Sequence, residues 1–467
     1  MVSQVGLEDL AELVSGQASA SVPDDVREVG RRVFTDVLAS YLAVAPDIEA
    51  RVTPPRTIVH GAAATASRIA SAAHALDFDE THFGSSVHAG SAVVGVLLGL
   101  AEAGTEINGD ELHATIAVAL EVSARIGLGA PRVAQRRGYT TTSVYAPLAA
   151  AAAAVGAMGL DPGFARHALA LATEGAGGTR GGHLDAGADT KCLHMGRAAA
   201  WGLISAALAA GGAIGAPDPL FGRYGLYSTT LGLKPDEVDR RAVFDELGER
   251  WVVRDIGFKR YPTHLGVQAC AEALLSLRER PDPASVERIT CAVHPAVVAT
   301  VGEPREVKIR PPNAYSARFS LPIVAALCLL DGRLDARSFS ERSVRRAELQ
   351  DLAARVEVIG DPEAPAVSTY PGRVGVRFSG GCVRWTRWRD APGVPSRPLS
   401  MAELEDKFHT YVAPRSGAQA VKLVLEELRG PCRIRKLLAL AEELRADVDD
   451  GGGSATSLRT SCQDPGA

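Results

Sequence analysis

The sequence predicts a mainly α protein, built as a large all-helical domain with a smaller α+β domain attached. Three observations lead there. From about Leu7 to Gly215, Ala-rich apolar segments with helical spacing alternate with joints containing Gly, Pro and Asn. After about Asp255 the apolar residues become β-branched and alternate, as half-buried strands do. At 467 residues the chain also exceeds what one compact core holds, so at least two domains are expected.

In the first region helices are expected over Val26–Ala45, Ala92–Ala103, Asp110–Gly127, Leu148–Gly159, Phe164–Leu171 and Arg197–Ala213. Alanine has the best helix propensity, and at contact faces it lets helices approach closely, so a tightly packed bundle follows. No repeat of roughly 20–50 residues is visible, which disfavours a solenoid. The apolar run Ala198–Ile214 is about as long as a short membrane span, but its Ala and Gly content reads as a helix buried between other helices.

In the second region Arg288–His294, Arg355–Ile359 and Arg373–Ser379 read as strands. Gly380-Gly381 reads as a hairpin turn, with Cys382–Trp388 as the returning strand. Leu321–Leu330 is a helix between them, and the Pro-rich Ala391–Pro398 reads as a boundary. Ser400–Ala446 is again helical and amphipathic enough to return to the first domain. The expected bounds are 5–253 for the first helical part, 254–396 for the α+β domain, 397–446 for the helical return, and 447–467 for a disordered tail.

Composition narrows the function. Hydrophobic residues make up 46% and charged residues 22%, ordinary for a soluble globular protein. A net charge of −5 is too near balance for a nucleic-acid or anionic-membrane surface. The seven cysteines are scattered without a C-x-x-C pair, which argues against a disulfide framework or a zinc knuckle. The N-terminus has neither a basic stretch nor an apolar core of a secretion signal, so a reducing cytoplasm is expected.

Four polar constellations interrupt the helices. The first is His74-Ala75-Leu76-Asp77-Phe78-Asp79-Glu80-Thr81-His82, followed by Ser85-Ser86-Val87-His88-Ala89-Gly90. Asp79, Glu80 and His82 read best as helix caps or solvent-facing groups, while His88 reads equally as a cap or as a proton carrier. The second runs from Gly177-Gly178-Thr179-Arg180 through His183 to Lys191-Cys192-Leu193-His194. Its glycines suit an anion cradle or a hinge, but it lacks the Gly-Lys-Ser/Thr ending of a P-loop. The third, Gly257-Phe258-Lys259-Arg260-Tyr261-Pro262-Thr263-His264, lies at the domain boundary, where Lys259 is either a solvated charge or a carboxylate ligand. The fourth, Pro311-Pro312-Asn313-Ala314-Tyr315-Ser316-Ala317-Arg318-Phe319-Ser320, reads as a capping loop with Ser320 as cap.

In this order and spacing the blocks HALDFDETHFGSSVHAG, TKCLHMGRAAAWG, FKRYPTHLG and SARFSLPIVAALCLLDG, with the segment from Ala216 through Phe221-Gly222 and a later Lys407-Phe408, resemble the MmgE/PrpD family of 2-methylcitrate dehydratases and cis-aconitate decarboxylases. The resemblance runs from about Leu7 to about Ala446. It implies a helical domain plus an α+β lid with the active site between them, a homodimer, and no metal or organic cofactor. It also implies Asp77, Thr81, His88, Lys191, Lys259 and Tyr315 as catalytic residues, with His194, His264, Ser316 and Thr140 as substrate contacts. Under that reading the lysines stabilise charge developing on a carboxylate, and His88 moves the proton with Asp77 fixing its ring or protonation state.

The sequence departs from the family pattern in three places. Gly138-Tyr139-Thr140-Thr141-Thr142-Ser143 carries Thr140 where dehydratases and decarboxylases of the family have a second histidine, Val267-Gln268 lacks a further one, and Ala89 replaces a proline. Thr140 cannot shuttle a proton at neutral pH, and a positioned acid or base contributes roughly 10²–10⁴-fold in rate.

The first expectation is therefore a lyase acting on a small polycarboxylate by dehydration or decarboxylation. The alternative is an isomerase, epimerase or specialised-pathway enzyme on a modified carboxylate. A non-catalytic binding homologue is disfavoured because buried lysines without an anion are costly. A metal-dependent hydrolase using His74, Asp77, His82 and His88 is disfavoured because their spacing fits no compact ligand motif.

Overall fold

The computed structural model describes residues 6–15, 21–55, 58–182, 186–277 and 282–449. The helices that build the larger domain are α1 (Leu7–Val14), α2 (Asp24–Leu42), α3 (Ala62–His74), α4 (Gly90–Glu102), α5 (Gly109–Leu128), α6 (Thr141–Met158), α7 (Pro162–Ala172) and α8 (Thr190–Ala210). Their buried apolar residues form one cluster, which resumes at Leu399 and runs to Leu444 in the returning helices. A second cluster, from Val267 to Val376, belongs to the smaller domain.

Small residues set the spacing. A Cβ on Gly196 of α8 would fall 2.0 Å from Ser71 Oγ of α3, so the two helices pack at a distance only glycine allows. The same small-residue packing blurs α3 in the sequence: Ala62–His74 carries too few large apolar side chains to show a helical stripe, so the polar block reads as a loop between helices without bounds for the helix before it. Helix α6 begins at Thr141 rather than at Leu148, with Pro147 inside it. Proline cannot donate to the carbonyl four residues back, and Gly177 N–H donates to that Ser143 carbonyl instead (3.0 Å). Helix α6 is long and apolar enough to cross a membrane by composition, but 83% of it is buried inside the fold.

The run Ala198–Ile214 is helical to Ala210, as expected, but it is not buried all round. Leu193, Ile204 and Leu208 face outward along α8, and Ile214 beyond it is 80% exposed.

The smaller domain holds a four-stranded sheet of β3 (Val286–Val293), β4 (Val356–Gly360), β5 (Gly372–Phe378) and β6 (Val383–Trp385), after the two-residue strands β1 (Thr81–His82) and β2 (Ile256–Gly257). Its order is β4-β3-β5-β6, with β3 and β4 parallel and the other pairs antiparallel. The expected hairpin is present at Gly380-Gly381, where Gly381 has φ +77°. Helices α9 (Leu265–Leu275) and α10 (Leu321–Asp331) pack with the sheet, and Ser320 Oγ caps α10 by accepting from Ile323 N (3.1 Å).

Both strands of chain that cross between the domains are tied together: Phe258 N donates to Gly393 O at 2.9 Å. After the crossing, α11 (Met401–Lys407), α12 (Ala418–Arg429) and α13 (Ile434–Asp449) return to the helical domain. Helix α13 continues through Asp447–Asp449, three residues into the segment expected to be disordered, and residues 450–467 lie outside the described residues.

Candidate active site

The loop between α3 and α4 is the centre of the site. Asp77 sits at φ +51°, a left-handed conformation that aspartate tolerates better than most residues. This sharp turn aims both its carboxylate and its carbonyl at lysines. Lys191 Nζ, in the first turn of α8, lies 2.6 Å from Asp77 Oδ1. Lys259 Nζ lies 3.3 Å from the same oxygen and donates to Asp77 O at 2.8 Å. Lys259 reaches the loop because β1 pairs with β2 in a register that sets Thr81 opposite Gly257. Burial alone would raise the Asp77 carboxyl, but Lys191 and then Lys259 hold it well below the usual carboxylate range.

Two histidines face the same cavity in opposite tautomers. His88 Nδ1 lies 2.7 Å from the Glu80 carbonyl and 2.9 Å from Thr81 Oγ1. A carbonyl only accepts, so Nδ1 carries the proton and Nε2 presents a lone pair. His264 is the reverse: its Nδ1 accepts from Gly266 N (3.1 Å) as the cap of α9, so Nε2 carries the proton. Burial first, then the neighbouring lysines, push His88 well below its ordinary value. Burial pushes His264 down to about 3. Both rings are therefore neutral before a ligand enters.

Buried charge surrounds this core. Arg318, from the smaller domain, donates to Leu76 O (3.3 Å) and Pro262 O (2.7 Å). Lys407 at the end of α11 pairs with Asp36 of α2, donates to Phe78 O at 3.2 Å, and stands 3.7 Å above the Phe78 ring. Burial raises the Asp36 carboxyl to about 6 against the pull of Lys407. Burial and then Asp79 push Glu80 up to about 8. The loop is thus contacted or flanked by the buried cations Lys191, Lys259, Lys407 and Arg318 and by the buried carboxyl groups of Asp36, Asp77, Asp79 and Glu80. Lys191 and Lys259 share the single carboxylate of Asp77, which favours an anionic ligand beside them.

The cavity has a volume of about 80 Å³ and is lined by Asp77, Thr81, His88, Lys191, Lys259 and His264, with Thr140, Arg180, Phe319 and Tyr370 among its other wall residues. Residues 8–238 match the MmgE/PrpD N-terminal domain, and residues 261–429 match the MmgE/PrpD C-terminal domain. The chain belongs to the MmgE/PrpD family. Among its relatives is the cis-aconitate decarboxylase of Homo sapiens, 29% identical over 342 residues, which covers 72% of this chain and 70% of that protein. The cis-aconitate decarboxylase of Mus musculus is 28% identical over 377 residues, with 76% and 74% covered. A cis-aconitate decarboxylase-like protein of Aspergillus oryzae is 26% identical over 398 residues, with 78% and 79% covered.

Of the residues singled out in the sequence, this MmgE/PrpD cavity gathers Asp77, Thr81, His88, Lys191, Lys259, His264 and Thr140. Three others lie outside its lining. Tyr315 packs edge-on behind the cavity residue Phe319, at 5.5 Å between ring centroids. Ser316 Oγ donates to Asn313 O (2.9 Å) in a capping turn. His194 stands against the Gly177-Gly178 backbone, where a Cβ on Gly178 would lie 2.8 Å from its Nε2. His183 lies outside the described residues.

Some readings of single residues change. Asp79, Glu80 and His82 do not face solvent: all three are buried. Glu80 does cap α4, with Oε1 accepting from Ala89 N (3.0 Å) and Gly90 N (2.6 Å). His82 is held by Ser85 Oγ (2.7 Å) and Val252 O (3.0 Å), a structural tie. The ring of His88 is fixed by Glu80 O and Thr81 rather than by Asp77, whose carboxylate is taken up by the lysines. Among the described residues no group of three or more His, Cys, Asp or Glu has the arrangement of a metal site.

Sequence reading missed Arg180, Phe319 and Tyr370 in the cavity wall, and the buried Asp36–Lys407 pair. Arg180 carried a signal, since it lies in the glycine-rich block already singled out. Asp36 carried none, being one of many charged residues along α2.

Proposed function

We propose that the chain is a cofactor-independent lyase acting on a small polycarboxylate, with decarboxylation of a cis-aconitate-like acid as the first reaction to test and dehydration of a 2-methylcitrate-like hydroxy acid as the second. One observation carries the reading: Lys191, Lys259, a histidine lone pair and a histidine N–H line a single cavity. The names and coverage of the relatives support the same class.

In decarboxylation, the bond to the departing carboxylate breaks and its electron pair forms a new double bond. The pair of the old alkene takes a proton, and carbon dioxide leaves. Negative charge grows on the retained carboxylate, which the two ammonium groups stabilise without reorganising. His88 gains a proton as the anion enters, because the anion offsets the lysine charges that disfavour imidazolium. It then delivers that proton from Nε2. His264 Nε2–H donates to a second oxygen of the ligand, and Thr140, whose Oγ1 is buried and has no partner among the described residues, bonds a further one. In this scheme Thr140 binds where dehydratases and decarboxylases of the family have a second histidine, and His264 only donates to the ligand, so His88 alone moves the proton.

The alternative is an isomerase or epimerase. A lone pair and an N–H facing one cavity are also what removal and return of a proton at one carbon need. Incubation with cis-aconitate, 2-methylcitrate and citrate, followed by carbon dioxide release and alkene absorbance, tests the lyase. Solvent deuterium in recovered acids tests the alternative. If none of the three acids changes and none takes up deuterium, both readings fail.

The proposal includes a homodimer joined through the outward apolar face of α8 at Leu193, Ile204 and Leu208. Light scattering on the purified protein checks it, and a monomer at micromolar concentration overturns it. It also includes a reducing compartment, supported by the six free cysteines among the described residues.

A further inference from the structure

Lys191 is held by more than its ion pair. We propose that the buried pair Asp79–His74 is the positioning device of Lys191, fixing the one imidazole tautomer that holds the ammonium in place for a ligand carboxylate. The inference rests on the role given to Lys191 above and adds two residues that do not line the cavity.

The chain of contacts is continuous. His74 Nδ1 lies 2.8 and 2.6 Å from the two carboxylate oxygens of Asp79, and Asp79 Oδ2 also accepts from Ser91 Oγ (2.6 Å) in the first turn of α4. A carboxylate only accepts, so Nδ1 carries the proton and Nε2 has the lone pair. That lone pair meets Lys191 Nζ at 2.7 Å. An ammonium has three N–H bonds. One goes to His74 and one to Asp77 Oδ1 at 2.6 Å, so the third is the one left for the cavity that Lys191 lines.

The opposite tautomer would set Nε2–H against the donors of Lys191 and release the ammonium. Asp79 excludes it. Both His74 and Asp79 are fully buried and neither lines the cavity, so neither touches a ligand there. Close packing of Gly196 on Ser71 brings the start of α8 to the end of α3, which is what sets Lys191 beside His74. The linkage is the logic of outer partners that orient a ligand-binding group.

Two substitutions separate the two ends of the ring. His74→Asn keeps an amide where Nδ1 bonds Asp79 and removes the acceptor at Lys191, whereas His74→Gln extends an amide oxygen to where Nε2 stood. A misplacement on the order of 1 Å costs about 10²-fold. H74N is therefore expected to lose about that factor in kcat/KM on the best of the three acids, and H74Q to stay within about tenfold of the parent. A crystal structure of H74N is expected to show Lys191 Nζ displaced from Asp77, with Lys259 unmoved.

Equal losses in H74N and H74Q, or an unmoved Lys191 in H74N, would overturn the proposal. If the parent converts none of the acids, the function proposed above has failed and the crystal structure alone decides the positioning role. If H74N does not fold, Asp79→Leu, which frees the ring to take the other tautomer, replaces it with the same two expectations.

Discussion

Asp77→Asn is the most discriminating single change, because one carboxylate serves two lysines. In the parent, Oδ1 lies 2.6 Å from Lys191 Nζ and 3.3 Å from Lys259 Nζ. The amide keeps an acceptor for Lys191 but removes the charge, so Lys191 and Lys259 lose the carboxylate they share. Removing one member of a buried ion pair costs about 3–5 kcal/mol. A retained hydrogen bond to the carbonyl oxygen returns about 1 kcal/mol of that, so a loss of about 2–4 kcal/mol in unfolding free energy is expected. Turnover should fall by about 10²–10³-fold, the usual effect of losing one preorganised electrostatic group.

The same charge balance predicts a gain. A polyanion such as citrate offsets the added positive charge, so it should raise the melting temperature of D77N more than that of the parent. Urea unfolding and thermal melts with and without citrate measure both effects. A variant as stable as the parent, with equal protection by citrate, would refute the charge accounting of the site.

Three further outcomes are expected. Lys407→Met leaves Asp36 buried and unpaired: the parent carboxyl is raised to about 6, above its unfolded value of roughly 3.9, so native stability falls with rising pH until about 6 and then levels. Without Lys407 the levelling moves to higher pH, so the penalty should grow by about 1.4 kcal/mol per pH unit above about 6; a pH-independent difference in urea unfolding would contradict this. His88→Ala should lower turnover by about 10²–10⁴-fold without changing the circular dichroism spectrum, and near-parental turnover would remove His88 from the chemistry. Gly196→Val forces its Cβ onto Ser71 Oγ, 2.0 Å away, so both stability and kcat/KM should fall, and a fully active variant would show that α8 can shift without moving Lys191.

Sequence alone determined what depends on local pattern and on residue type. Ala-rich helical periodicity set the large domain, alternating β-branched runs with a Gly-Gly turn set the sheet, and the family resemblance carried by the polar blocks implied Asp77, Thr81, His88, Lys191 and Lys259. Helix α3 escaped because its packing is carried by small residues that leave no hydrophobic stripe, and the start of α6 escaped because the Ser143 carbonyl freed by Pro147 is satisfied by Gly177, far along the chain. Tertiary structure decided the tautomers, since those depend on which backbone group each imidazole meets: Glu80 O for His88, Gly266 N for His264. It also decided which acids are buried. Asp79 and Asp36 look like ordinary solvated carboxylates in one dimension: Asp79 meets His74 five residues away only because the turn after α3 folds back, and Asp36 meets Lys407 only when helices 371 residues apart in the chain close together, since charge pairing acts through space and leaves no periodic trace along the sequence.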